Sequence, residues 1–219
     1  MLLSIIRQNQ KLAAKRNPAF DRNRFAKFLI YFMVAFWAAY LIFIGVMLSF
    51  AFEDIFPSME PYHIMNQGLI YLLILDFLLR FMLQPAMSQE IKPYLLMPIK
   101  KNKLVDTLLL QSGISSYNFF WFFLIVPFAL LTIIRFYGFT GILCYLCGIW
   151  LLMAMNSYWY LICKTLLNEK LLYILLPIGV YGLLAGTEFI PEGNPVSTFM
   201  MNLGEGFIEG NILSFLGVI

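Results

Sequence analysis

The hydrophobic and polar positions of this chain fall in blocks, with long apolar runs separated by short polar or charged segments. A helix that crosses a bilayer needs about 20 predominantly apolar residues. The runs therefore predict five membrane-spanning helices: Phe28–Phe52, Ile64–Pro85, Leu104–Ile134, Thr140–Leu161 and Leu171–Gly186. Pro127 predicts a kink in the third span. Tight turns are predicted at Arg135–Gly138 and at Cys163–Lys170, before and after the fourth span.

The N-terminal segment has the pattern of an amphipathic helix. When residues 2–16 are placed on a helix, Arg7, Lys11 and Lys15 line one side. The apolar side consists of Leu2, Leu3, Ile5, Ile6, Leu12 and Ala13. Such a helix either packs on a soluble domain or lies in the membrane surface. Because the chain offers no soluble domain, we expect residues 1–24 to form an interfacial element.

The segment after the fifth run, residues 187–210, is acidic and contains one helix signal. Asn194 is a natural N-cap and Pro195 a natural first helical residue. Apolar residues follow at helical spacing: Val196, Phe199, Met200, Leu203 and Phe207. This pattern predicts a helix too short to span the membrane. The final run, "NILSFLGVI", resembles the start of a sixth span, so we expect the sequence to be the front part of a longer protein.

Composition places the whole chain, residues 1–219, in one all-α transmembrane domain. Hydrophobic residues make up 61% of the sequence and charged residues 12%, whereas soluble domains carry about 25% charged residues. Cys144, Cys147 and Cys163 lie in or beside apolar runs without metal-binding companions, and His63 is the single histidine. We therefore expect no metal, cofactor or catalytic site, and no nucleic-acid partner.

The lysines and arginines predict the orientation of the chain in a cell (inner) membrane. Such residues concentrate in cytoplasmic segments. Seven of them precede the first span, and none lies in residues 53–63 or after the fifth span. The other cationic residues are Arg80, Lys92, Lys100, Lys101, Lys103, Arg135, Lys164 and Lys170. With Arg135 as the exception, they predict a cytoplasmic N-terminus and an external loop at residues 187–210.

Residues 86–103 then face the cytoplasm and combine apolar with basic side chains. The residues expected to take part in docking are Tyr94, Leu95, Leu96, Met97, Pro98, Lys100, Lys101 and Lys103. Two uses are open for this segment. It anchors the protein at anionic headgroups, or it presents an apolar surface with a basic rim to a soluble partner.

Three segments together resemble a known family. They are "LLSIIRQNQKLAAKR", "QEIKPYLLMPIKKNKLV" and "NPVSTFMMNLGEGF". Their order is similar to the elbow helix, coupling helix and external re-entrant helices in the membrane subunit of a type II ABC exporter. The resemblance extends to a longer bacterial subfamily of such permeases. It implies six spans, a second permease copy or homologous half, and docking to a cytoplasmic ATPase. A separate chain must supply that ATPase, because no G-x-x-x-x-G-K-[ST] motif is present.

One charged pair lies within an apolar run. Asp76 and Arg80 are four residues apart in the second predicted span, so they share a helix face. Ionisable groups inside a membrane are costly and often functional. The alternative is a structural pair whose members neutralise each other, with Arg80 extending toward the cytoplasmic interface.

Small and polar residues within the spans add two further expectations. Gly179, Gly182 and Gly186 of the fifth span form a face that could pack closely against another helix. Gln111, Asn118 and Asn156 face either the bundle interior or a substrate path. From the sequence both options stay open for these three polar residues.

The leading hypothesis is a permease subunit that moves a substrate when a partner ATPase drives it between two states. A second hypothesis is a membrane scaffold or assembly protein that uses the same basic segment to hold a partner without transport. An enzyme is the least favoured hypothesis because the spans carry few catalytic groups.

Overall fold

The computed structural model describes residues 24–84, 101–115, 117–187 and 194–218, together with Gln8 and Leu12. Within these ranges the regular secondary structure is helical. The helices are α1 (Arg24–Ile55), α2 (Pro61–Gln67), α3 (Leu69–Leu83), α4 (Lys101–Gly113), α5 (Tyr117–Phe120), α6 (Phe122–Leu131), α7 (Ile134–Glu169), α8 (Leu175–Gly186), α9 (Pro195–Ile208) and α10 (Ile212–Leu216). A 3₁₀ turn, Leu171–Ile174, precedes α8. Most of the predicted interfacial helix and of the segment 86–103 lies outside the described residues.

Two helices in the described part are long and apolar enough to cross a membrane. They are Lys27–Ile55, within α1, and Ile134–Glu169, which is α7. Two bent helix pairs raise the number to four if each pair forms one span. The first pair is α2–α3, and the second joins α4–α5 to α6. The all-α prediction is confirmed for the described residues, and two to four candidate spans agree with a membrane protein, while the count of five spans stays a prediction. The predicted fifth span is represented by Leu171–Gly186, an apolar helix shorter than these candidates.

The second apolar run bends near its start. Its helical structure begins at Pro61, just after the extended residue Glu60, and bends by 48° at Gly68. Proline is favoured at a first helical position because its missing N–H would have no helical partner there. The prediction placed the start of this span slightly later, at Ile64.

The third apolar run is interrupted before Pro127. Helix α4 ends at Gly113, and the direction changes by 60° at Trp121, between α5 and α6. Pro127 instead lies inside α6, which is continuous from Phe122 to Leu131. At this level α6 packs closely on α1, because a Cβ added at Gly45 would overlap the backbone of Leu124. The sharp bend therefore lies at Trp121, and the prediction of its position was wrong.

Helix α7 extends the fourth run beyond its predicted end. The predicted turn at Arg135–Gly138 appears as a break at Gly138, whose φ is +65°. The turn predicted at Cys163–Lys170 is wrong, because α7 continues to Glu169. Lys164 is accommodated on the helix since its Nζ donates to the Phe81 carbonyl at 3.0 Å and lies 4.3 Å from the centre of that ring.

The core of the described part lies between α7 and the helices packed around it, α3, α6 and α9. Its fully buried side chains include Ile125 and Phe128 of α6, Tyr145 and Ile149 of α7, and Phe207 of α9. The first half of α1 is exposed along its length, and its second half packs on α6. A long apolar surface is expected where lipid is the solvent.

The short helix predicted after residue 194 is confirmed as α9. The Asn194 side chain accepts hydrogen bonds from the backbone N–H groups of Val196 and Ser197, at 3.0 and 3.1 Å. Helix α9 packs on α2 and α7, where a Cβ at Gly204 would overlap Asn66. The predicted start of a sixth span corresponds to α10, a five-residue helix followed by a turn. The sixth span itself stays a prediction.

One ion pair and one hydrogen bond connect helices at the end of the bundle that the prediction places outside. Arg135 Nη1 donates to Glu53 Oε1 at 2.6 Å, and His63 Nδ1 lies 2.5 Å from Glu205 Oε1. Arg135 was the one cationic residue that did not fit the predicted orientation. Its ion pair with Glu53 offsets its positive charge at that end of the bundle.

Candidate functional site

The candidate site is the buried ion pair of Asp76 and Arg80 on α3. Arg80 Nε donates to Asp76 Oδ2 at 2.6 Å, as their spacing along one helix face predicts. The two side chains are only 4% and 1% exposed. Taking two charges out of water is expensive unless further hydrogen bonds satisfy the remaining donors and acceptors. The surroundings of the pair therefore decide whether it is stable.

The carboxylate of Asp76 accepts hydrogen bonds from three different helical elements. Besides Arg80, Asn156 Nδ2 of α7 donates to Oδ2 at 2.8 Å, and Trp121 Nε1 donates to Oδ1 at 2.8 Å. Trp121 stands at the bend between α5 and α6. Convergent donors stabilise a buried carboxylate by replacing the water that it lost on burial. Asp76 thus ties α3 to α7 and to the bend.

The guanidinium of Arg80 links α3 to the interruption between α4 and α5. Arg80 Nη2 donates to Asn118 Oδ1 at 2.8 Å. The Asn118 amide in turn donates to the carbonyls of Ser112 and Gly113 at 3.1 and 2.5 Å. Among the described residues no group accepts a hydrogen bond from the third nitrogen, Arg80 Nη1. Arg80 is therefore connected to the last turn of α4 through the side chain of Asn118.

Helix α8 joins the network through one tyrosine. Tyr181 OH donates to Asn156 Oδ1 at 2.6 Å, while Asn156 Nδ2 also donates to the Leu73 carbonyl at 3.0 Å. The Tyr181 ring lies 4.9 Å from the ring of Phe77, centre to centre. Because most of α8 is exposed, these contacts are a large part of its attachment to the bundle.

Neutral hydrogen bonds extend the polar region toward the end of α3. The hydroxyl groups of Ser112 and Ser157 lie 2.7 Å apart and connect α4 to α7. Tyr160 OH donates to the Gln84 carbonyl at 2.8 Å. The polar residues thus follow the α3–α7 contact from Asp76 to the end predicted to face the cytoplasm.

A separate apolar groove of about 370 Å³ lies between α4 and α7. Its lining includes Leu110 and Ile114 on one side, Trp150 and Met155 on the other, and Val218 near the end of the described chain. The lining is suited to apolar chains. It shares no residue with the ion pair and its direct partners.

The other predicted site residues are those of the docking segment and the glycines of the fifth predicted span. Tyr94, Leu95, Leu96, Met97, Pro98 and Lys100 lie outside the described residues. Lys101 begins α4, and Lys103 is exposed on it. A Cβ added at Gly179, Gly182 or Gly186 would meet nothing within 4 Å, so within the described part this face of α8 has no helix packed on it.

Four residues of the network were visible in the sequence and two were not. The polar residues Asn118 and Asn156 were noted beside the charged pair, and the structure brings all four together. Trp121 and Tyr181 were missed because they lie among many other aromatic residues. Their residue types could have indicated a role in a buried polar network, since indole N–H and phenolic O–H groups need partners when buried.

The described residues hold no group of three or more His, Cys, Asp or Glu side chains that could bind a metal ion. The network joins α3, α5, α7 and α8 through one ion pair and a set of hydrogen bonds. It can position helices relative to one another.

Comparison with curated proteins and with solved structures finds no match to the chain. A sequence profile does match residues 10–219, which is nearly the whole sequence, and its family is described only as one of unknown function. The chain belongs to this family, DUF5687.

Proposed function

We propose that the chain is the membrane-spanning permease subunit of an ATP-driven exporter and works with a separate cytoplasmic ATPase. The observation that carries the proposal is the order of the elements. A bent helix pair precedes the basic segment 86–103, a second bent pair follows it, and the capped helix α9 comes after α8. The resemblance to type II exporters implies this order. A second copy or a homologous half completes the proposed transporter.

Helix α9 supports the proposal because it packs onto other helices instead of extending away as a loop. Leu203, Phe207 and Ile208 are buried against the bundle. Gly204 and Gly148 permit the close approach, since a Cβ at either would overlap Asn66 or Phe207. A short packed helix at the end predicted to lie outside fits the place of the external re-entrant helices.

Helix α4 supports the proposed position of the docking segment. It begins directly after residues 86–100, and Asn102, Lys103, Val105 and Asp106 near its start are exposed. A partner that bound the preceding residues would therefore meet little steric hindrance from these α4 side chains. Force applied there would reach the bundle along α4.

The test is purification of the full-length protein in mild detergent, with bound proteins identified by mass spectrometry and ATP hydrolysis measured. Leu95→Ala/Leu96→Ala should remove a co-purifying ATPase, because truncating a buried apolar anchor typically costs about 2 kcal/mol or more. Changing Lys100, Lys101 and Lys103 to glutamine should weaken association mainly at low salt, since rim charges act on encounter.

The matched control is Leu171→Ala/Leu172→Ala, the same change in an exposed leucine pair of the 3₁₀ turn that precedes α8. It should retain the ATPase. If the ATPase stays bound to Leu95→Ala/Leu96→Ala, the docking segment is only a headgroup anchor. If no ATPase co-purifies with the wild-type protein, the exporter proposal fails.

The alternative is a scaffold that holds a cytoplasmic partner without transport. The observation in its favour is the ion pair itself, whose carboxylate has three hydrogen-bond donors and joins helices rigidly. A scaffold would retain its partner regardless of nucleotide. An exporter subunit should change its helix distances when ATP is bound and hydrolysed.

A further inference from the structure

The third apolar run is broken at two points, and both breaks lie against the charged pair of α3. The first is the interruption between Gly113 and Tyr117, and the second is the 60° bend at Trp121. A helix that ends leaves carbonyl groups without intrahelical donors. Inside a bilayer water is not available to satisfy them, so the protein must supply the donors.

Asn118 supplies donors at the first break. Its Nδ2 donates to the carbonyls of Ser112 and Gly113, in the last turn of α4. Its Oδ1 accepts from Arg80, and this bond orients the amide so that Nδ2 faces α4. Arg80 thus holds the first break through Asn118.

Trp121 is the corresponding contact at the second break. It is the residue before α6, and its indole N–H donates to Asp76 Oδ1 at 2.8 Å. Both members of the ion pair are therefore engaged by the broken run, Asp76 at the bend and Arg80 at the interruption. The Nε–Oδ2 bond keeps the two contacts in a fixed relation.

The last turn of α4 is held by the rest of the bundle. Ser112 is hydrogen-bonded to Ser157, and Gly113 lies against Tyr158. Asn102 and Lys103, near the first turn, have exposed side chains. Because the helix leaves the bundle contacts at Ser112 and Gly113, the geometry at Asn118 and Trp121 sets the direction of α4.

We propose that Asp76 and Arg80 form a clasp that fixes the two breaks of the third run and thereby sets the position of α4. The clasp deepens the proposed function because α4 begins where the proposed docking segment ends. The inference itself concerns the helix geometry of this chain. It is tested without any ATPase present.

The experiment measures distances between spin labels in the full-length protein, in a background where the three native cysteines are alanine. One pair, Asn102→Cys and Thr165→Cys, reports the first turn of α4 relative to α7; both positions are exposed. A control pair, Ser58→Cys and Asn202→Cys, reports the opposite end of the bundle, where both positions are also exposed.

Two variants each remove one hydrogen bond between the ion pair and a break. Asn118→Ala removes the link from Arg80 to α4. Trp121→Phe removes the indole N–H and reduces the indole to a single, smaller aromatic ring. Each should broaden or shift the 102–165 distance distribution by several ångströms and leave the 58–202 distribution unchanged. Tyr160→Phe is the matched control, because it removes a buried hydrogen bond, to the Gln84 carbonyl, that does not involve either break.

An unchanged 102–165 distribution in both variants would overturn the clasp. Equal changes in the 102–165 and 58–202 distributions would indicate general loosening of the bundle and would overturn the clasp as well. The same change of the 102–165 distribution in Tyr160→Phe would also overturn it. If Asn118→Ala does not fold, Trp121→Phe alone decides. Failure of the ATPase to co-purify would leave these distances unaffected, so the clasp and the exporter proposal fail separately.

Discussion

Removal of the Asp76 carboxylate should destabilise the protein more than removal of both charged side chains. Asp76→Ala leaves the Arg80 guanidinium 1% exposed, with Asn118 Oδ1 as its acceptor among the described residues. Breaking a buried ion pair in this way costs about 3–5 kcal/mol. Since folded domains are stable by about 5–15 kcal/mol, the single change should remove a large part of the total.

The opposite single change should be milder. In Arg80→Ala the carboxylate keeps two donors, Asn156 Nδ2 and Trp121 Nε1, each at 2.8 Å. We therefore expect a cost near the lower end of the range, about 3 kcal/mol. Asp76→Ala should therefore lower the free energy of unfolding more than Arg80→Ala, because it leaves the remaining charge with fewer hydrogen bonds.

The double variant Asp76→Ala/Arg80→Ala buries no charge. It leaves the indole N–H of Trp121 and the Oδ1 of Asn118 without their partners. Stranding a buried polar group costs about 1–3 kcal/mol, and charged groups cost more, so two neutral groups at about 1–2 kcal/mol each give about 2–4 kcal/mol in total. The sum of the single changes is about 6–8 kcal/mol, which gives a coupling energy of about 2–6 kcal/mol.

The assay is reversible unfolding in mixed micelles, with the free energy of unfolding measured for all four proteins of the cycle. Glu53 and Arg135 provide the matched control, because their ion pair has the same 2.6 Å separation but side chains that are 40% and 55% exposed. Their coupling should be about 0–1 kcal/mol. A coupling below about 0.5 kcal/mol between Asp76 and Arg80 would mean that they are not energetic partners.

Two further results are expected. Ser58→Cys in a cysteine-free background should react with an impermeant thiol reagent from outside intact cells and Asn102→Cys should not; reversed labelling would overturn the predicted orientation. Gly204→Ala should lower the unfolding free energy by about 1–3 kcal/mol, because the added Cβ overlaps Asn66. Gly182→Ala, where the Cβ meets nothing, should be neutral or slightly stabilising, and equal effects of the two alanines would contradict the close packing of α9.

The helices were predictable where local patterns decide them. The apolar runs mark α1, α3 and most of α7, and the Asn-Pro pair marks the start of α9 at Pro195. In each case the signal lies within the segment itself, as run length, N-cap chemistry or the fixed φ of proline. The pairing of Asp76 with Arg80 was predictable for the same reason, since they are one helical turn apart.

The bends were not predictable because their causes lie elsewhere in the chain. Pro127 was the local candidate for a kink, yet the run bends at Trp121, whose partner Asp76 is 45 residues away. The end of α7 was misplaced for a similar reason. Lys164 looked like a loop residue, but the Phe81 carbonyl, 83 residues away, accepts its hydrogen bond.

The broken third run and the buried charges explain each other. A break at membrane depth exposes carbonyls that lipid cannot satisfy. The Ser112 carbonyl accepts from the Ser115 N–H at 3.2 Å as well as from Asn118, and Asn118 can donate to the Gly113 carbonyl only when its amide is correctly oriented. A charged donor gives a stronger and more directional contact than a neutral one, and Arg80 supplies it. A buried arginine then requires a carboxylate nearby, which is Asp76. Any buried ion pair needs further hydrogen-bond partners. Here two of those partners, Asn118 and Trp121, belong to the broken run itself, so the contacts favour a role in holding the break.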